Sequence, residues 1–351
     1  MIKLKQLFFY VFSFFVTYLI YVYPYDILNY FIFKEEIFSI SSFYLNLFFY
    51  SIVIYYLRSH STFLLFRILV YEGMGIGFIS FWIVNLALLT DYVFSIDQKI
   101  LGISSFLIII LITILSLIYG KLIFLKKLKI NSSEISKDVK LIFISDVHLG
   151  SNSIKHLNKI YSKIKNKNFD LLLIGGDLID SSSFDLQNLT IFKKIKAPIF
   201  FVSGNHEFYI KDSKDKLEKL EKFKINLLDN KNYNFKNINI IGIGDNQSFD
   251  KQKKITNQLT RKNVFNLLLV HKPSIWDYVH QNIDLMLSGH THGGQIFPFN
   301  YIVKLQYKNI YGLYEKLNSK LYVSSGCGCW GPKMRLGTSN EIIEIIISNE
   351  K

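Results

Sequence analysis

Leu141-Ile142-Phe143-Ile144-Ser145-Asp146-Val147-His148-Leu149-Gly150 is a short apolar run that stops abruptly at two metal-capable side chains. Residues two apart on an extended segment face the same side, so a strand over 141–145 lets Asp146 and His148 converge just past its end. Open α/β sheets place their chemistry there. Upstream the chain reads as membrane; downstream it reads as a soluble domain.

The 351 residues can hold two or three domains. Residues 1–129 carry only ten of the 41 Lys/Arg and six of the 27 Asp/Glu, thinly spread between apolar runs. The rest fall in residues 130–351, spaced as in a soluble domain. The net charge of +14 does not read as a nucleic-acid footprint, because the lysines are scattered rather than gathered into a stripe with interleaved aromatics. Attraction to an anionic membrane surface fits it better. Cys327 and Cys329 are the only cysteines, which gives no disulfide framework and suits a reducing compartment.

Residues 7–23 form an uncharged, mostly apolar run just long enough to span a bilayer, ended by Pro24 and Asp26. No small-residue cleavage site follows, so a retained helix is expected rather than a secretory signal. Further spans are expected over 43–56, 74–89 and 101–122, the second and third with loose ends. Lys3 and Lys5, then Arg58 and Arg67, then Lys121, Lys126, Lys127 and Lys129 fall on one side of these four spans. The positive-inside bias predicts a multi-pass protein of the inner membrane with residues 130–351 facing the cytoplasm. Glu72, beside Gly73, Gly75 and Gly77, is read as an interfacial residue near Arg67, with glycines that allow close helix packing.

After residue 140, apolar runs of four to six alternate with polar, helix-compatible stretches. Strands are predicted over 141–145, 171–174, 199–202, 238–243, 265–270, 285–287, 321–324 and 342–347, and helices near 154–165, 213–223 and 274–280. Residues 231–237 read as a loop or hairpin turn. Most of these strands end in residues that can bind a metal: Asp177 after Gly175-Gly176; Asn205, His206 and Glu207 after Gly204; His271; His290 and His292 after Gly289. Of the histidines after residue 130, only His156 and His280 lie elsewhere. Oxygen and imidazole donors without thiolates suit Mn²⁺ first, with Fe or Zn²⁺ as the other fits, and argue against a closed structural zinc site. So many ligands suit two ions, and two ions roughly 3.5–4 Å apart clamp both oxygens of an in-line displacement at phosphorus.

Asp146-Val-His148, Gly175-Gly-Asp177, Gly204-Asn-His-Glu207, His271 before Lys272-Pro273, and Gly289-His-Thr-His292 resemble the five motifs of the calcineurin-like metallophosphoesterases. The resemblance implies a four-layer α-β-β-α sandwich behind the all-α membrane bundle. It also implies a binuclear phosphoesterase with a metal-bridging hydroxide as nucleophile. By motif, Asp146, His148 and His292 would hold one metal, Asn205, His271 and His290 the other, and Asp177 would bridge them. His206 matches the family histidine that donates to the phosphoryl or leaving-group oxygen, and Asp180 is the candidate to orient it. Residues 289–295 and 325–337 look like the bacterial membrane-anchored branch. Cys327 and Cys329 depart from its pattern and read as buried thiols. Arg335 is a candidate contact for a substrate phosphate or a structural ion pair.

Tyr209 and Phe208 follow one motif, and Ile296, Phe297, Pro298, Phe299, Tyr301, Ile302 and Val303 follow another. They suit either an acyl-chain groove or bilayer contact, or a strand packed in the core. Four spans before a domain of this family resemble the integral-membrane UDP-2,3-diacylglucosamine hydrolases, which implies an amphiphilic pyrophosphate of lipid A biosynthesis as substrate. A phosphodiesterase acting on soluble nucleotides and a non-catalytic membrane scaffold are the other readings.

Overall fold

The computed structural model describes residues 2–59 and 64–349. They form two compact units, one of residues up to Ile118 together with Gly331–Met334, the other Tyr119–Trp330 with the chain from Arg335 onward. Lys126, Lys127 and Lys129, which follow the last apolar run, belong to a strand that begins at Ile123.

The first unit is helical. α1 (Ile2–Thr17), a π turn (Tyr18–Val22) and α2 (Tyr23–Phe33) form the first apolar rod, followed by α3 (Ile40–Ser59), α4 (Leu64–Phe94) and α5 (Gln98–Tyr119). All four rods are long and apolar enough to cross a membrane. The expectation that Pro24 and Asp26 end the first span is corrected: the helix runs on to Phe33. Pro24 occupies the first turn of α2, where a missing N–H costs little. Asp26 is buried and accepts hydrogen bonds from the hydroxyls of Tyr18 (2.7 Å) and Ser42 (2.6 Å). Glu72 accepts from the backbone N–H of Lys333 (3.4 Å), and Gly73 and Gly77 lie against Tyr21 and Ile20. Large apolar side chains such as Leu107 and Leu111 are left exposed along α5, as suits a lipid solvent.

The second unit is built on two six-stranded sheets. Its strands are β1 (Ile123–Ser132), β2 (Val139–Ile144), β3 (Leu171–Ile174), β4 (Ile199–Phe201), β5 (Ile225–Leu227), β6 (Lys231–Phe235), β7 (Ile238–Ile243), β8 (Phe265–Val270), β9 (Leu285–Ser288), β10 (Gly312–Lys316), β11 (Ser319–Val323) and β12 (Asn340–Asn349). The first sheet has the order β1-β12-β2-β3-β4-β5 and the second β10-β11-β9-β8-β7-β6. β2 to β5 run parallel, as do β7, β8, β9 and β11, while β6 and β10 close the second sheet as antiparallel edges.

Alternation along each strand sorts its side chains between two layers. Leu141, Phe143, Leu171 and Leu173 enter the core between the sheets with Leu267, Leu269, Leu285 and Leu287. Ile142, Ile144, Leu172 and Ile174 face outward onto Leu157, Ile160 and Ile164 of α6 (Ile154–Ile164). Emptying the inner layer at Phe143 would cost about 3–5 kcal/mol. On the far face, α8 (Phe249–Leu259) and α9 (Trp276–Val279) cover the second sheet, with Trp276 and Val279 on Leu268 and Met286. α7 (Ser213–Lys219) follows β4, and α10 (Phe299–Gln306) follows β9. The layers are therefore helix, sheet, sheet, helix. Residues 231–237, expected as a loop or turn, contain β6, hairpin-paired to β7. The chain between α5 and Asp146 is mostly β1 and β2, and only Gly120, Lys121 and Leu122 separate α5 from β1.

Candidate metal centre

Five strands bring their C-terminal ends together: β2, β3 and β4 from one sheet, β8 and β9 from the other. Just beyond them the chain turns sharply. Asp146, His148, Asp177, His290 and His292 all have φ between 50° and 73°, a left-handed backbone that costs L-residues energy and collects at functional sites. Backbone bonds hold these turns: Asp146 N–H to Gly176 O (3.0 Å) and His148 N–H to Asp177 O (2.9 Å). A Cβ at Gly204 would fall on the Asp177 carboxylate and one at Gly289 on that of Asp146, so close approach requires glycine there.

Ligand atoms of Asp146, His148 and His292 lie within 4.8 Å of one another, as do those of Asp177, His271 and His290, and those of His148, Asp177 and His206. His148 Nε2 is 3.2 Å from His292 Nε2. His271 Nε2 is 3.1 Å from Asp177 Oδ2 and 3.2 Å from His290 Nδ1. Asn205 Oδ1, though buried, has no hydrogen-bond partner. Lone pairs crowded at these separations, with an orphaned amide oxygen on the residue next to His206, fit divalent cations: the donor set is hard oxygen and imidazole, without a thiolate.

The surroundings choose which ring nitrogen is offered. His271 Nδ1–H donates to Gly175 O (2.8 Å), leaving Nε2 for a metal. Asp180 Oδ2 lies 3.4 Å from His148 Nδ1. Tyr307 Oη is 2.7 Å from His290 Nε2, leaving Nδ1 to face inward. Burial by itself would raise the Asp177 carboxyl, but the charges of His271 and His148 outweigh it and hold it well below the usual range. Burial would lower His271, yet Asp177 and Asp146 pull it up to about 10. Burial, then the charge of His271, pushes His290 down to about 2. Burial first, with Arg335 adding to it, likewise holds His292 well below its ordinary value.

A model of the calcineurin-like phosphoesterase domain matches residues 139–294. An Aquifex aeolicus protein described as an uncharacterized metallophosphoesterase is 30% identical over 231 residues, 61% of this chain and 86% of its own. The chain belongs to the calcineurin-like metallophosphoesterases. A Campylobacter jejuni protein described as an uncharacterized metallophosphoesterase is 37% identical over 64% of this chain, and the match spans 63% of that relative's length. A Danio rerio transmembrane protein with a metallophosphoesterase domain is 29% identical over 60% of this chain and 53% of its own.

Within this metallophosphoesterase site, two expected roles change. Asp180 stands against His148 rather than orienting His206, because the turn after β3 carries it behind the His148 ring; its other oxygen accepts from Ser151 N–H (2.8 Å). Arg335 does not reach toward a substrate. It is 1% exposed, and its guanidinium donates to the carbonyls of His292 (2.8 Å), Ser325 (2.6 Å) and Gly328 (2.7 Å) and to Asn340 Oδ1 (3.0 Å), with Nη2 3.3 Å from His292 Nδ1. Cys327 and Cys329 are both buried.

His206 is the ring at the mouth. The backbone N–H of His206 donates to Asp177 Oδ1 (2.9 Å), its ring lies T-shaped to that of His148 at 4.7 Å, and Tyr209 and Trp330 flank it at 5.4 and 5.7 Å. Burial, against the pull of Asp177, lowers it to about 4, so near neutrality it is uncharged and offers one N–H. Sequence reasoning missed the roles of two residues. Glu207 accepts the N–H groups of Asp177 (3.0 Å), Ile179 (2.9 Å) and Gly204 (2.8 Å) from full burial. Its place in the Gly-Asn-His-Glu motif was the available signal. Tyr307 had none, since it lies beyond every motif and meets His290 only through the fold.

Proposed function

We propose that the chain is a membrane-bound phosphohydrolase that uses two divalent ions, Mn²⁺ foremost, to cleave a phosphoester or pyrophosphate bond on an amphiphilic substrate. The observation that carries this reading is the pair of ligand groups, Asp146/His148/His292 and Asp177/His271/His290, with the partnerless Asn205 oxygen beside them. Asp177 also falls in the His148/His206 group, which makes it the shared ligand. Ions bound there supply Lewis acidity and a nucleophile from water at neutral pH. The residues do the rest: Asp177 ties the two sides together, Glu207 holds the turn that presents it, and His206 offers an N–H to the departing oxygen.

Two features support an amphiphilic alcohol over a soluble one. Tyr209 and Trp330, both well exposed, give the mouth an aromatic rim. Only three residues join α5 to β1, which favours a substrate held in the bilayer. A nucleotide-linked diacylated sugar such as UDP-2,3-diacylglucosamine has the required parts: a pyrophosphate for the ions, a base for the rim and acyl chains for the lipid. The test is hydrolysis of that lipid by detergent-purified, Mn²⁺-loaded protein beside a water-soluble phosphodiester. Turnover of the lipid well above the soluble ester supports the reading. Turnover of the soluble ester alone keeps the metal chemistry and removes the lipid.

The charge bias of the loops supports a cytoplasmic catalytic unit in the inner membrane. The native thiols are poor reporters of topology because both are buried. Leu317, 81% exposed in the β10–β11 turn, is a better site. Leu317→Cys should resist an impermeant thiol reagent in intact cells and react after lysis; reaction before lysis would reverse the orientation.

A further inference from the structure

α10 is attached to the catalytic unit along one stripe. Asn300, Val303 and Tyr307 are half-buried, and none of the residues of α10 itself is fully buried. Its other faces carry Phe299, Tyr301, Ile302 and Leu305, with Phe297 just before it. Leu305 is 88% exposed and the other four are between 43% and 59% exposed. That settles one open question: these residues do not form a core strand. Five large apolar side chains exposed within nine residues mark a surface made to meet another phase. Lys304 lies among them with its Nζ 5.8 Å from the Tyr301 ring centre, and α10 holds no acidic residue; Lys308, just beyond it, is 78% exposed along its side chain and 4.0 Å from Asp277.

We infer that α10 is an interfacial helix, through which the catalytic unit dips into the lipid surface beside its metal centre. This rests on, and deepens, the membrane-bound reading above. An aromatic and aliphatic face that carries Lys304 and no carboxylate of its own is the chemistry of a bilayer interface with anionic headgroups. A protein groove would more commonly be met by a face with paired polar groups. The helix is pinned at both ends to the metal site. Asn300 packs on Gly294, two residues past His292, and Tyr307 meets His290. An α10 seated at headgroup depth therefore brings a lipid-borne phosphate to the ions without extracting its acyl chains from the membrane.

The test uses the full chain in vesicles of phosphatidylethanolamine and phosphatidylglycerol. A nitroxide is placed at Leu305→Cys, or at Leu317→Cys as an exposed control. The native thiols, 0% and 2% exposed, stay unlabelled. At 305 the label should be relaxed more by oxygen than by a water-soluble nickel chelate, and at 317 the reverse. Chelate access at 305 equal to that at 317, or shielding of 305 from both reagents as under a protein partner, overturns the inference. Leu305→Glu should lower turnover of a vesicle-borne phosphate ester roughly tenfold while leaving bis(p-nitrophenyl) phosphate untouched. An equal loss on both esters, or no loss on either, counts against delivery through α10. If the parent protein hydrolyses no lipid ester at all, the proposed substrate falls, while the nitroxide pair still decides lipid contact by itself.

Discussion

Around Asp146, His148 and His292 the supports are charged: Asp180 stands 3.4 Å from His148, and the Arg335 guanidinium holds both the carbonyl and the ring of His292. Around the rings of His271 and His290 they are neutral: a carbonyl at Gly175 and a hydroxyl at Tyr307, while the Glu207 carboxyl serves the backbone at Asp177. A neutral partner fixes a tautomer and little else. A charged partner also tunes how strongly the imidazole donates, and when buried it leaves an expensive vacancy on removal. The two sides of the cage should therefore respond unequally to loss of support.

The largest effect should come from the residue common to both sides. Asp177→Ala is expected to abolish turnover and to drop bound metal from about two ions per chain to below about one, read by elemental analysis after dialysis. Retention of both ions would refute the shared ligand. His206→Ala should keep both ions and slow turnover by about 10²- to 10⁴-fold; lost metal would make it a ligand instead. Arg335→Met should weaken metal binding on the Asp146/His148/His292 side by roughly 10- to 100-fold. It should also lower the melting temperature, since three carbonyls each lose a donor at about 1–3 kcal/mol. Arg335→Lys should stay impaired, because a point charge cannot replace the guanidinium fork. Tyr307→Phe should have the smallest effect, about tenfold in metal affinity confined to the other side, with little change in melting. If it costs as much as Arg335→Met, the contrast between charged and neutral support disappears.

The strand-end motifs were legible because each packs its information into a few consecutive residues. An apolar run, a glycine and a ligand suffice, and the strands over 171–174, 238–243 and 265–270 stand in the structure as their patterns read. β1, β6 and β10 were not legible. Lys126, Lys127 and Lys129 interrupt the first, and Lys231, Asn232 and Asn234 the second, because edge strands have one solvated side where charge is tolerated. Lys126 is even paired, its Nζ 2.9 Å from the buried Glu341. The first rod shows the opposite failure: Pro24 reads as a stop, but a helix tolerates proline in the turn where its N–H has no partner.

Asp180 and Arg335 mark where sequence reasoning had to end. Two histidines lie within reach of a carboxylate three residues past Asp177, and only the path of the chain between β3 and β4 selects His148. Arg335 carries the charge a phosphate site would want, yet the fold spends all of it on carbonyls. The sequence by itself determined the family, the ligand types and the membrane-length helices, because composition, period and short-range spacing are local properties. Which side chains face one another across two sheets, and which helix keeps an exposed apolar face, was decided only in the tertiary structure. Those contacts join residues far apart in sequence, and burial, not residue type, assigns them their roles.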